Sequence, residues 1–271
     1  MKKFWALVFL SVPVWGVGSI VLAATAKRTG RYGGWWWPEP LSSFGGAIDT
    51  YFLNIQWIVA FTFILTTGLL GWFMWKYNDE TPGPASAKHH STALEASWTA
   101  ATAIILILVA APQIDDWEEL KVGESMPVKK EHTFAEVTGR QFEWRIRYPG
   151  ADGQLRTIDD VWAPPSEFHM VKGERNTRID LRSDDVLHSF FIPSLRIKQD
   201  AVPGLTIPMW FDCSRAGTFD LVCAELCGWG HYKMRGTVKV HETQAEFDAW
   251  LDGQRRQQES DRAVAMQEGH R

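Results

Sequence analysis

The sequence predicts a membrane-anchored all-β protein: an N-terminal transmembrane helical hairpin, then a β-sandwich, then a short C-terminal helix. Three observations predict it. Apolar residues gather before Pro112 and charged residues mostly follow it. Two apolar runs, 53–75 and 97–114, have the composition of membrane spans. From 134 to 240, short β-rich segments alternate with turn signals, the pattern of a sandwich or barrel.

The chain has 271 residues and a formal net charge of −4, which is room for one ordinary domain plus additional segments. Its mild acidity argues against a nucleic-acid partner and suits a basic one. Of its 15 Trp, several border the apolar runs, among them Trp35, Trp57, Trp72, Trp75 and Trp98. Indole favours the membrane–water interface, where its ring is apolar and its N–H is wet.

Residues 1–26 open with Lys2-Lys3, continue through an apolar stretch and end in small residues, the pattern of a signal peptide or a first membrane helix. Pro13 and the neighbouring glycines and serines are expected to weaken a long helix, which favours the signal peptide. Either reading sends 27–52 out of the cytoplasm. The run 53–75 carries no charge and is long enough to cross a bilayer core of about 30 Å. A linker rich in Pro, Ser and charge follows, and its His89-His90 pair reads as solvated. The run 97–114 completes a hairpin over 53–114, interrupted late by Pro112 and ended by Asp115, Asp116, Glu118 and Glu119. Lys and Arg counts do not settle the orientation, which rests on the N-terminal signal and the hairpin. The domain 115–241 therefore lies outside the cytoplasm. In 242–271, Phe247, Trp250 and Leu251 have helical spacing for packing on the sandwich edge, ahead of a polar tail.

The chemistry gathers in Cys223-Ala-Glu-Leu-Cys227-Gly-Trp-Gly-His231-Tyr-Lys-Met234, with an earlier His188. Thiolate and thioether are soft ligands that select copper, and imidazole suits it too. One Cys would make a mononuclear site. Two on one loop can bridge a metal pair, with His188 and His231 as imidazole ligands, Met234 as one axial ligand and the Glu225 carbonyl as the other. Two plainer readings remain open. A Cys223–Cys227 disulfide suits an oxidising compartment but leaves His231 and Met234 without a role. A Cys2His2 zinc site does not need the methionine. Cys213 reads as a buried thiol. His132, His169, His241 and His270 lack ligand spacing and read as surface or core residues.

These residues resemble subunit II of cytochrome c oxidase. Asp185-Val-Leu-His188-Ser-Phe-Phe-Ile is similar to the family's first copper-ligand segment, and 223–234 to its second, behind a transmembrane hairpin. The resemblance runs over about 52–242. It implies a cupredoxin-like sandwich holding a dinuclear copper (CuA) centre on His188, Cys223, Glu225, Cys227, His231 and Met234. It also implies Mg bound by the Glu225 side chain at the contact with subunit I, and a proton-path entrance at Glu95. The implied partners are subunit I, subunit III, a cytochrome c-type donor and membrane lipid, in a bacterial-type inner membrane with the copper domain on the periplasmic side. The implied activity is electron transfer to haem in subunit I, which reduces O2 and translocates protons.

Three positions depart from the family. Phe142 stands where the Trp that receives electrons is usual, while Trp144 is kept, so these two are the candidate electron-input residues. Arg196 replaces a usual Gly, and Leu205 a usual Arg. The acidic residues Asp115, Asp116, Glu118, Glu119, Asp184 and Asp185 could attract a basic donor. The competing functions fit less well. A quinol-oxidase subunit II needs no copper ligands. A nitrous-oxide-reductase-like chain carries a further catalytic domain and no such hairpin. A mononuclear copper carrier needs neither the second thiol nor Glu95. No Cys-x-x-Cys-His occurs, so no cytochrome c domain is fused here.

Overall fold

The computed structural model describes residues 2–29, 38–77, 83, 90–122 and 124–268. It divides into two compact units, Met1–Pro38 with Asp49–Ile114, and Glu39–Ile48 with Asp115–Arg271. His89 and His270 lie outside the described residues.

The first unit is helical: α1 (Lys2–Thr29), α2 (Gly45–Lys76) and α3 (Thr92–Ala110). All three are long and apolar enough to cross a membrane. Contrary to the sequence expectation, α1 runs straight through Pro13. A proline removes one amide donor, and the small polar residues close their bonds inside the helix: Ser11 donates to Val8 O and Ser19 to Gly16 O, each at 2.8 Å. The hydroxyls of Thr62, Thr66 and Thr67 do the same in α2. The hairpin ends meet where the Tyr51 hydroxyl donates to Pro112 O at 3.3 Å.

The acidic cluster does not end the helical run. Pro112 sits in a single 3-10 turn over Ala111–Gln113, and α4 (Ile114–Lys121) begins at once. Asp115 and Asp116 fall in its first turn, where the positive end of the helix dipole favours them.

The second unit is a sandwich of two five-stranded sheets. Its strands are β1 (Thr133–Arg140), β2 (Glu143–Tyr148), β3 (Val161–Trp162), β4 (Glu167–Val171), β5 (Gly173–Ser183), β6 (His188–Ile192), β7 (Ile197–Ala201), β8 (Ile207–Cys213), β9 (Gly217–Cys223) and β10 (Arg235–His241). One sheet has the order β3-β2-β1-β5-β8, the other β4-β10-β9-β6-β7. The β1–β5 and β4–β10 pairs are parallel, and the other pairs are antiparallel. Trp144, Ile146 and Tyr148 alternate inward from β2 and meet Phe168, Phe190 and Phe211 in one core.

Residues 39–48, expected only as an extracytoplasmic segment, are stitched onto this sandwich. The Leu41 amide donates to Ser194 O at 2.8 Å, its carbonyl accepts from the Ser214 amide at 2.8 Å, and Phe44 packs edge-on against Trp210. The chain thus leaves the sandwich unit into α2 and returns to it after α3.

The C-terminal helix is not short: α5 spans Gln244–Glu268. Its outer half is built of good helix formers and is tied to the sandwich by Gln258 donating to Trp162 O and Arg262 to Ile158 O. Phe247 and Trp250 pack against the core as expected, Trp250 stacking on His169 with ring centroids 3.6 Å apart.

Candidate metal centre

Two strand ends and one loop build the site. His188 opens β6 and Cys223 closes β9, and these strands are neighbours paired through Phe190 and Cys223. The loop 224–234 then brings Cys227, His231 and Met234 back over that edge. Its backbone is fixed by the His231 amide on Gly228 O (3.1 Å), the Lys233 amide on Gly230 O (2.9 Å) and the Cys223 amide on Met234 O (3.1 Å). The Ala224 amide donates across to Ser189 O at 3.0 Å, locking the loop to β6.

All six groups named from sequence come together. Cys223 Sγ lies 3.9 Å from His188 Nδ1, 3.2 Å from Glu225 O and 3.9 Å from Cys227 Sγ. Cys227 Sγ lies 3.5 Å from His231 Nδ1 and 3.8 Å from Met234 Sδ. His188, Cys223 and Cys227 present donor atoms within 4.8 Å of one another. Cys213, Cys223 and Cys227 are all free thiols, and a sulfur–sulfur gap of 3.9 Å is no disulfide. At that separation both thiolates would reach the same metal at bonds of about 2.3 Å. Two thiols, two imidazoles, a thioether and a carbonyl form a soft donor set that fits copper.

The protonation of these groups follows from their neighbours. Burial pushes the Cys223 thiol up, but the hydrogen bond with His188 and backbone hydrogen bonds outweigh it and bring the group to about 6. Burial, together with the charge of Cys223 beside it, pushes Cys227 up to about 11. Burial disfavours the imidazolium of His188, yet Cys223 and Asp185 on either side raise its pKa above the ordinary value.

Two positioning residues were not expected from sequence. Asp185, read as a docking charge, stands at the surface but is engaged with the site: its carboxylate lies 2.8 Å from His188 Nε2 and accepts from the Gln141 amide at 2.8 Å and the Val186 amide at 2.6 Å. A ligand imidazole whose far nitrogen meets a carboxylate is fixed in tautomer and orientation. Gln141 donates its side-chain Nε2 to Cys227 O at 2.5 Å. The signal was present in the spacing, since Asp185 stands three residues before His188 and Gln141 heads the Gln-Phe-Glu-Trp stretch.

The other named residues fall elsewhere. Trp144 is fully buried, its ring 6.0 Å from that of His188, so it lines the interior side of the site and meets no partner directly. Phe142 is half-buried against the loop. Cys213 is a buried thiol on β8, as expected, its Sγ 3.2 Å from Arg215 O. Glu95 is exposed in the first turn of α3, with its carboxylate 3.4 Å from His90 Nδ1. His169 and His241, read as core or surface residues, pair with each other at 3.0 Å beneath Trp250.

Comparison with known proteins gives the family of the chain. The family description "Cytochrome C oxidase subunit II, periplasmic domain" matches residues 165–241, and its transmembrane-domain counterpart matches 44–115. The alternative cytochrome c oxidase subunit 2 of Bradyrhizobium diazoefficiens is 31% identical over 82% of this chain and 84% of its own length. Cytochrome c oxidase subunit 2 of Alkalihalophilus pseudofirmus is 34% identical over 65% of this chain and 48% of its own. Among solved structures, the periplasmic domain of subunit II of cytochrome oxidase (CoxB) of Bradyrhizobium japonicum is 28% identical, with a TM-score of 0.38 over 46% of this chain and 94% of that one. The chain belongs to the cytochrome c oxidase subunit II family, as a component of an oxidase complex with membrane-spanning helices and a periplasmic domain that carries the candidate metal centre.

Proposed function

We propose that the chain is the electron-accepting subunit of its oxidase. It would hold a dinuclear copper centre on Cys223, Cys227, His188, His231, Met234 and the Glu225 carbonyl. The observation that carries this reading is the pair of thiols 3.9 Å apart, with one imidazole beside each. When bound, a copper pair sharing one electron hole supplies one-electron acceptance with little rearrangement.

The chain's own residues do the rest. Asp185 aims His188 and holds its tautomer. Gln141 anchors the carbonyl of Cys227, and the loop's backbone bonds keep both sulfurs in place. The buried Trp144 and Phe190 keep water from the interior side. Rigid ligands change little between redox states, so little reorganisation opposes transfer.

The wider reading follows from the family. A cytochrome c-type protein is the electron donor, and haem in subunit I is the acceptor for O2 reduction coupled to proton translocation. The Glu225 carboxylate, a hard ligand, would take Mg where subunit I docks, and Glu95 would open a proton path. Subunit III and lipid complete the surroundings in a bacterial-type inner membrane.

Metal analysis of the copper-loaded full-length chain in detergent tests the reading. A pair of copper ions per chain is expected, with loss of the pair in Cys227→Ser. A single copper, or none, in the unsubstituted chain contradicts it.

A further inference from the structure

We infer that Trp229 is the point of contact through which the electron donor reaches the metal centre, an inference that rests on the copper reading above. Three large apolar side chains of the loop stand in water: Trp229 is 78% exposed, Leu226 76% and Tyr232 73%. They fall within seven residues of the loop that carries the candidate ligands. Exposed apolar side chains are ordinary when scattered, but clustered on a functional loop they mark a binding surface. Tryptophan and tyrosine are the residues that most often anchor such contacts.

The loop is shaped to present this indole. Trp229 lies between Gly228 and Gly230, and both glycines press onto Phe142. A Cβ at Gly230 would come within 2.5 Å of the Phe142 ring, and one at Gly228 within 2.8 Å of the Gln141 amide nitrogen. Gly228 also holds a φ of +132°, which a side chain would strain. The backbone therefore sinks against Phe142 while the side chain between the glycines points out. The Trp229 ring meets Phe142 edge-on, with centroids 5.3 Å apart. Phe142 is thus partly covered, and Trp229 is the outer of the two rings. Trp229 is two residues from Cys227 and two from His231, so the covalent route from indole to either group is short.

The surroundings select the partner. Lys233 holds its ammonium 5.5 Å from the ring centroids of both Trp229 and Tyr232, so a positive charge stands beside the two exposed rings. Asp185, the carboxylate near this edge, is engaged with His188 and two amides. The face suits a one-electron haem protein whose apolar haem edge meets Trp229 and whose propionate carboxylates meet Lys233. One electron passes from ferrous haem, which becomes ferric, to the oxidised copper pair. No bond forms or breaks, and no proton is required.

The test mixes a ferrous monohaem c-type cytochrome, in stopped flow, with oxidised full-length chain in detergent whose copper content has been measured first. Trp229→Ala is expected to slow oxidation of the haem by roughly 10–100-fold, and Trp229→Phe by less. The copper absorption spectrum and the rate of reduction by hexaammineruthenium(II), which is too small to need a docking face, stay as in the unsubstituted chain. A Trp229→Ala chain that oxidises the cytochrome within about twofold of the unsubstituted rate overturns the inference, a change too small for an anchoring contact. Equal slowing with both reductants also overturns it, because the metal centre itself is then altered. An unsubstituted chain that takes up no copper overturns the copper reading, and the inference with it, before any mixing.

Discussion

The two units of this protein place the same kinds of residue on opposite sides. In the helical unit, leucines, isoleucines and phenylalanines point outward, and α3 buries none of its residues. In the sandwich Trp144, Ile146, Tyr148, Phe168, Met170, Phe190 and Phe211 are fully enclosed. The difference teaches what each unit has for solvent: helices with satisfied backbones can turn apolar faces to lipid, whereas a domain in water must hide them. Against that rule, the exposed apolar cluster on the metal loop stands out as functional rather than incidental.

The sharpest way to break the comparison is to remove the same kind of bulk from each unit. Phe168→Ala in the sandwich core should destabilise that unit by about 3–5 kcal/mol. Leu106→Ala on the outward face of α3 should change its unfolding by no more than about 0.5 kcal/mol. Denaturant unfolding of the full chain in detergent, followed by tryptophan fluorescence, reads both. Equal losses would mean that α3 packs as a soluble helix does.

A smaller effect tests the carboxylate that faces a ligand imidazole. Asp185→Asn keeps the shape but loses the charge facing His188, and copper affinity should fall roughly 10–100-fold in competition with a chelator. An unchanged affinity would make Asp185 an ordinary loop residue.

The second histidine cluster has no thiols and behaves differently. Burial holds His169 down to about 4 and also lowers His241, whereas the unfolded chain titrates near 6.5. The unfolded state therefore binds more protons between those values. The stability these two histidines contribute to the sandwich is full above about pH 6.5 and is lost as pH falls toward 4. His169→Gln should flatten that slope in a series of denaturant midpoints against pH, and a slope that survives would place the titration elsewhere. The smallest effect is expected at Arg196, which sits at φ 56°. Arg196→Gly removes left-handed strain of about 1 kcal/mol but frees the unfolded chain, so the midpoint should move little.

Much of this was legible in the sequence because the chemistry is local. Charge-free runs announce α2 and α3 whatever their tertiary surroundings, and the ligand spacing of 223–234 lies within one loop. Alternation revealed β2, whose faces differ in burial. It did not reveal β6, where His188, Ser189 and Phe190 are all enclosed and no alternation remains. The continuation of α1 through Pro13 was hidden because an apolar surrounding favours keeping every remaining backbone hydrogen bond inside one helix. The attachment of 39–48 was hidden because it depends on partners such as Ser194 and Ser214, more than a hundred residues away. The roles of Asp185 and Gln141 emerge only when 141, 185 and 227 are brought together in space.

The central claim, a shared copper pair on two facing thiols, is tested most directly by electron paramagnetic resonance of the oxidised, copper-loaded full-length chain. The account predicts the hyperfine multiplet of one unpaired electron shared equally by two copper nuclei, lost in Cys227→Ser. The multiplet of a single copper nucleus in the unsubstituted chain would contradict it.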